Sequence, residues 1–331
     1  MDIFTSLHNQ QPYHSKVFAE YFGGLNVAVL DIETTGLYPR SDNFILGGLL
    51  TPETSSLKVT QYFAESKVQE KELLLTYRNA LSKADILISY NGNRFDLPFL
   101  NQRCKKYDLN MNTDTIQSFD LYRVLNLYSD FRQFLPNLKQ KTVETFLGLS
   151  STRADKISGY ESVELYKEYS KTGSTDAKDL ILLHNRDDLL QLAGLLCVLN
   201  KLDLHKILYH EGFPILYENK RAFIRTIKFN KYSLKATALT RNLSENYYSF
   251  NAGYKVVHNK NTHTISVEVP FETLYNANYI DLETIPIDFS PLEKFPTYTN
   301  GYLVIRENDQ INYAGINYFI KLFLKEIMKY I

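Results

Sequence analysis

Asp31 and Glu33 stand two apart in Val27-Ala28-Val29-Leu30-Asp31-Ile32-Glu33, an apolar run that reads as a buried strand. Alternate strand residues point the same way, so both carboxylates face one side. Asp96 follows a second such run, in Asn91-Gly92-Asn93-Arg94-Phe95-Asp96. His184 and Asp188 stand four apart in a helical pattern and share a face, about 6 Å apart along the axis. Asp and Glu are rarely buried without a partner, and several converging at strand ends repel one another. A hard divalent cation, or two, settles all of them at once. Two such ions roughly 4 Å apart clamp the attacking and leaving oxygens of a phosphodiester. That chemistry needs carboxylates and a water-orienting group. Each signal also has an ordinary reading. Asp31 and Glu33 fit a strand-end turn or helix cap, Asp96 before Leu97-Pro98 fits an N-cap, and His184 with Asp188 fits a solvated helix face. Order and spacing together favour the site.

Those residues need a scaffold. Phe44 to Leu50 and Lys58 to Ala64 read as further strands, close enough to Val27–Glu33 for an antiparallel meander. Val68 to Ala84 is a helix, with Leu73, Leu74, Tyr77, Leu81 and Ala84 at helical spacing. The strand Asp85–Asn91 precedes a helix over Leu97–Tyr107 and a short strand near Ile116–Asp120. Asp120, at a predicted strand end, is a secondary candidate for the carboxylate cluster, with a structural role as the cap of a helix over 121–128 favoured. From Leu121 to Leu199 the pattern is almost wholly helical, clearest over Leu138–Leu149, Gly159–Lys171 and Thr175–Leu199. Residues 1–25 read as an irregular leader with room for a short helix. The order predicts an α/β domain with a mixed sheet over residues 1–200.

LDIETTGL (30–37), SYNGNRFDLPFL (89–100) and HNRDDLLQL (184–192) resemble, in order, the three motifs of the DEDD 3′–5′ exonucleases. FDLYRVL (119–125) and LKQKTVETFLGLSSTRADKISGYESVELYKEY (138–169) resemble the helical stretch of the exonuclease domain named after the bacterial YprB protein. The resemblance covers about residues 20–200 and stops there. It implies a ribonuclease H-like mixed sheet flanked by helices, two divalent cations (Mg²⁺ or Mn²⁺), and hydrolysis of terminal phosphodiesters. By it, Asp31 bridges both metals, Glu33 and Asp188 complete the site of the nucleophilic water, and Asp96 holds the second metal. His184 orients or deprotonates that water, a task suited to imidazole near neutral pH. Thr34, Thr35 and Gly36 approach the 3′-terminal nucleotide, Leu37 wedges against its base, and Asn91 lies on the substrate side. One departure stands out: His184 keeps the spacing to Asp188 of the branch that uses tyrosine, whereas the histidine branch has one residue more.

A chain of 331 residues exceeds the usual ceiling for one hydrophobic core and predicts two domains. Hydrophobic residues at 44% exclude a disordered chain. Lys+Arg and Asp+Glu both number 37, which excludes a wholesale polycation but not a local basic groove. No run approaches the ~20 apolar residues of a membrane helix. Met1–Tyr21 is too polar for a secretory signal. Cys104 and Cys197 are too far apart for a zinc site or disulfide framework and read as buried small hydrophobes. A cytoplasmic protein without membrane association is the expectation.

Residues 201–331 read as a smaller, accessory α+β domain. Phe223–Phe229, Tyr247–His258 and Thr264–Pro270 are its strands, with a turn at His258–Thr262 and a final amphipathic helix over Tyr313–Tyr330. Between 220 and 260, nine Lys/Arg face a single acid, Glu245, with Phe223, Phe229, Tyr232, Tyr247, Tyr248, Phe250 and Tyr254 interleaved. Such a mix holds single strands, phosphates on cations and bases on rings. It equally describes a sheet with an aromatic core and lysines outside. From Glu268 to Asp309 the balance turns acidic, with no chemistry attached. The leading function is a metal-dependent 3′–5′ exonuclease on single-stranded or 3′-ended DNA or RNA. The alternative is a nucleic-acid-binding or scaffold protein with a weak or inactive site, for which the His184 departure speaks. The presence of all four carboxylates speaks against it.

Overall fold

Apolar alternation and helical periodicity become strands and helices in a computed structural model that describes residues 1–111 and 116–331. The chain begins with β1 (Asp2–His8), α1 (Lys16–Phe22), β2 (Val27–Thr34), β3 (Phe44–Pro52) and β4 (Leu57–Phe63). Next come α2 (Glu70–Leu81), β5 (Ile86–Ser89), α3 (Asp96–Lys106) and β6 (Gln117–Asp120). Five helices follow: α4 (Leu121–Tyr128), α5 (Phe131–Phe134), α6 (Gln140–Phe146), α7 (Gly159–Thr172) and α8 (Thr175–Leu195). Met1–Ser15 and Leu25–Leu202 make one compact unit, and Lys16–Gly24 with Asp203–Ile331 make another.

In the first unit the sheet order is β1-β4-β3-β2-β5-β6. The meander β2–β3–β4 is antiparallel, while β5 and β6 run parallel to β2. Parallel neighbours need a crossover, and α2 and α3 supply it. Ala28, Leu30 and Ile32 of β2 pack with Leu73, Leu74, Tyr77 and Leu81 of α2 and Phe99 and Leu100 of α3. The same alternation therefore turns Asp31 and Glu33 to the opposite face, where α8 lies and Asn185 and His184 meet them.

Three expectations are corrected. Residues 1–25 are not an irregular leader: β1 pairs with β4 from Asp2↔Phe63 to His8↔Leu57. It is an edge strand whose Ile3 and Leu7 are 53% and 69% exposed, so backbone pairing rather than apolar burial defines it. Cys104 is buried, but Cys197 is exposed. It lies in the 3₁₀ stretch Leu196–Lys201, whose three-residue period turns Cys197 and Asn200 outward while Leu196, Val198 and Leu199 stay buried. Tyr247–His258 is two strands, because Asn251 Oδ1 accepts from the Gly253 and Tyr254 amides at 2.9 Å and closes a turn between them.

The second unit carries an antiparallel sheet of order β10-β11-β12-β9-β8-β7. Its strands are β7 (Pro214–Tyr217), β8 (Lys220–Phe229), β9 (Ser233–Arg241), β10 (Tyr247–Phe250), β11 (Lys255–Asn259) and β12 (Thr264–Pro270). Another antiparallel sheet gathers β13 (Glu272–Leu274), β14 (Ala277–Asp281), β15 (Tyr298–Thr299), β16 (Tyr302–Glu307) and β17 (Gln310–Ile311). With α1, this unit holds α9 (Leu204–Glu211) and α10 (Tyr313–Ile327). Leu234, Ala236, Ala238, Ile265, Val267 and Val269 bury one face of the larger sheet. Among the described residues no helix is long and apolar enough to cross a membrane.

Candidate active site

Strand β2 delivers its carboxylates at a break in the ladder. Glu33 pairs with Leu46 and Thr34 with Phe44, leaving Ile45 as an extra residue on β3. Such a bulge re-aims the side chains beside it. Asp31 pairs with Gly48, and a Cβ at Gly48 would lie 2.3 Å from Asn185 Oδ1. The missing side chain lets Asn185 reach the strand. Its Nδ2 donates to Asp31 Oδ2 at 2.8 Å and to the Asp31 carbonyl at 3.2 Å, and its Oδ1 accepts from Gln61 Nε2 at 2.8 Å.

Asp96 arrives from the other side. Phe95 occupies the N-cap position of α3 and Asp96 is its first residue, so Asp96 is not the cap that its sequence context suggests. The preceding loop turns at Asn91, whose φ is +66°. Asp120 fixes that loop, accepting from the Asn91 amide at 2.8 Å and the Asn93 amide at 3.1 Å. It also caps α4 through the Arg123 amide, as its position at a strand end predicts.

His184 is 3% exposed, so the solvated-face reading fails for it. Its Nδ1 is 2.8 Å from Asp155 Oδ2, and its Nε2 is 3.7 Å from both Glu33 Oε1 and Asp188 Oδ2. Asp155 also meets Arg153 NH1 at 2.8 Å and Lys141 Nζ at 3.2 Å. Arg153 NH2 reaches Glu144 Oε1 at 2.9 Å and Asp188 Oδ1 at 2.5 Å. Asp187 turns away from the cleft and accepts from the Ala154 and Asp155 amides at 2.7 and 2.8 Å, pinning the 153–155 segment to α8.

All ten residues singled out in the sequence line one cleft of about 820 Å³: Asp31, Glu33, Thr34, Thr35, Gly36, Leu37, Asn91, Asp96, His184 and Asp188. Thr34 Oγ1 donates to the Gly36 carbonyl at 2.6 Å, and Thr35 Oγ1 accepts from the Asn43 amide at 2.9 Å, so both hydroxyls shape the loop. Leu37 is 72% exposed at the rim. Below, Glu70 and Arg103 form a fully buried ion pair. Glu70 also accepts from the Phe44 amide and the Asn43 amide group, and Arg103 donates to the Pro39 carbonyl at 3.0 Å. This network ties down the middle and the far end of the loop after β2.

Burial pushes the Asp31 carboxyl well above its usual range, and the charges of Asp188, Glu33 and Asp96 add to the push. Burial also raises Glu33 to about 7, against the opposing pull of His184. Asp96 is raised to about 7, again chiefly by burial. Asp155 behaves oppositely: despite burial, His184 and its other donors hold it down at about 2. Burial works against the His184 imidazolium, but Glu33, Asp188 and Asp155 together raise its pKa. Asp155, His184 and Asp188 present ligand atoms within 4.8 Å of one another. Asp155 is already charge-balanced, however, whereas Asp31, Glu33 and Asp96 have no Lys or Arg partner among the described residues.

Sequence reasoning overlooked Asn185, Asp155, Arg153 and Glu144. Asn185 sits inside the third motif, and Arg-x-Asp at 153–155 is a readable signal for a charged clasp. Nothing local announces their partners.

A family model described as RNase_H superfamily matches residues 28–200. The DNA polymerase III PolC-type of Ureaplasma parvum serovar 3 is 25% identical over 150 residues, covering 38% of this chain. The chain spans only 10% of that protein's length. A solved family B DNA polymerase from the hyperthermophilic archaeon Pyrobaculum calidifontis aligns with TM-score 0.44 and 18% identity, over 53% of this chain and 24% of that one.

Proposed function

The chain belongs to the ribonuclease H superfamily, and on that premise we propose that it is a metal-dependent 3′–5′ exonuclease acting on DNA or RNA. One observation carries the reading: Asp31, Glu33 and Asp96 share a cleft, burial raises the pKa of each, and no cationic side chain other than His184 answers them among the described residues. A donor set of uncompensated carboxylate oxygens fits hard divalent ions. Asp31, Glu33, Asp96 and Asp188 would hold them. When bound, two Mg²⁺ or Mn²⁺ ions supply the positive charge that stabilises attacking and leaving oxygens.

The chain's own groups do the rest. Asp155 accepts a hydrogen bond from Nδ1–H of His184, which leaves Nε2 free to accept a proton from water beside Glu33 and Asp188. Arg153 and Lys141 balance Asp155, so it anchors the imidazole without drawing its proton away. Asn185 holds Asp31 in place. The Thr34–Leu37 loop receives the 3′-terminal nucleotide, with Leu37 against its base, and Asn91 borders the same cleft. The product is a nucleoside 5′-monophosphate. Similarity to a DNA polymerase over 150 residues supports a nucleic-acid substrate.

A second reading, a nucleic-acid-binding protein with an idle site, draws on Arg153, which already occupies Asp188 Oδ1. The experiment is incubation with 5′-labelled single-stranded DNA and RNA in Mg²⁺, Mn²⁺ or EDTA, beside Asp31→Ala and Asp96→Ala. A metal-dependent ladder shortening from the 3′ end and lost in both variants supports the enzyme. Binding with no cleavage of any substrate supports the second reading. Cutting of a circular single strand points instead to an endonuclease.

A further inference from the structure

The larger sheet of the second unit buries one face; the other is covered at Phe223 but carries polar, partly exposed rows at its Lys228–Phe250 end. Read across the strands, one row is Phe250, Lys255, Glu268, Lys235 and Lys228, each directly opposite the next. The row spans about 19 Å at the usual strand spacing. The neighbouring row is Tyr248, Val257, Ser266, Thr237 and Thr226. Phe250 and Tyr248 are 62% and 59% exposed. Lys255 Nζ lies 5.5 Å from the Phe250 ring centroid. At the turn beyond the far end, Tyr232 is 67% exposed with Lys231 Nζ 4.9 Å from its ring.

Two features set this face apart from an ordinary solvated sheet. Lys228 and Lys235 are cross-strand partners, and like charges placed directly opposite destabilise a ladder. The one acid in the row, Glu268, is engaged by Ser233 Oγ at 2.6 Å and Asn230 Nδ2 at 3.3 Å rather than closing an ion pair with either neighbouring lysine. An anion between the lysines removes the repulsion. The exposed rings lie beside the cations, which suits a ligand with alternating phosphates and flat bases. A duplex hides its base faces from such rings, whereas a single strand presents them.

We propose that this face binds single-stranded nucleic acid, with phosphates along Lys255, Lys235 and Lys228 and bases stacked on Phe250 and Tyr248. The inference takes its ligand class from the nuclease reading of the first unit, but its test does not depend on cleavage. Fluorescein-labelled single-stranded DNA, single-stranded RNA and duplex DNA are titrated with the full chain in EDTA, in an Asp31→Ala background, over a series of salt concentrations. Replacing Lys228, Lys235 and Lys255 together by Gln should weaken single-strand binding by at least about tenfold and flatten the log–log salt slope by about 2, since each lost phosphate contact removes ~0.7. Phe250→Ala and Tyr248→Ala should each cost about 5- to 150-fold with the slope unchanged. Glu268→Gln should tighten binding and steepen the slope, a gain that misfolding cannot mimic. An unchanged affinity and slope in the lysine variant, a parent that prefers duplex, or no effect of either ring overturns the proposal. Sheet-dependent binding without any nuclease activity would sink the exonuclease reading alone. Nuclease activity with sheet-independent binding would sink this one alone.

Discussion

Removing a carboxylate from the cleft should stabilise the metal-free protein while abolishing its activity, and Asp96→Asn is the sharpest case. Asp96 is held at about 7 against an ordinary 3.8. A raised carboxyl contributes full stability below its unfolded value and loses it as pH rises through the folded one. The loss therefore develops between about pH 4 and 7 and is complete above, on the order of 4 kcal/mol if Asp96 acted alone. Asp31, Glu33 and Asp96 share their repulsion, so removing one charge recovers only part, about 2 kcal/mol. For a unit of this size that is a rise of about 4–8 °C in melting temperature. The assay is thermal unfolding by circular dichroism at pH 4 and pH 8, in EDTA and in Mg²⁺. At pH 8 in EDTA, Asp96→Asn should melt above the parent, and at pH 4 the two should coincide. Mg²⁺ should raise the parent more than the variant at pH 8, because the variant has lost one of the four carboxylates that would hold the ions. If Asp96→Asn melts no higher than the parent at pH 8 in EDTA, the strained-carboxylate argument is refuted.

Three further predictions follow from the surrounding contacts. Asp155→Asn offers His184 an amide that can present its NH₂ instead, turning the imidazole to the wrong tautomer; kcat should fall by on the order of 10²-fold with KM nearly unchanged. Gly48→Ala puts a Cβ where Asn185 Oδ1 now lies 2.3 Å away, so steady-state kinetics should show loss of kcat, and restoring space with Asn185→Ala should not recover it because the Asp31 contact stays lost. Glu70→Gln leaves Arg103 buried without a counter-charge and should destabilise by about 3–5 kcal/mol in urea at pH 7. Because the Glu70 carboxyl is held below its usual range, its contribution is present above that range and is lost as pH falls through the folded value, so parent and variant should converge in acid.

The parts of this site that depend on local pattern were legible in the sequence. Strand alternation put Asp31 and Glu33 on one side, helical spacing put His184 over Asp188, and the Asp120 cap followed from its place before a helix. The parts that depend on pairing across the fold were not. Asn185 reaches Asp31 over 154 residues and His184 reaches Asp155 over 29, and neither separation leaves a periodic trace. The edge strand β1 escaped because its exposed Ile3 and Leu7 carry no burial pattern. Asp96 resembles a cap in its local sequence, and its grouping with Asp31 and Glu33 came from motif order rather than local pattern; in the fold it heads α3 and its charge reaches theirs across the cleft.

The most direct test of the central claim is the identity of the first product. A single-stranded oligonucleotide labelled at its 3′-terminal nucleotide is mixed with the full chain in Mg²⁺ and the release of label is followed by thin-layer chromatography. The first labelled product should be a nucleoside 5′-monophosphate, absent in EDTA and absent with Asp31→Ala. Intact substrate under every condition, or label released first in longer oligonucleotides, contradicts it.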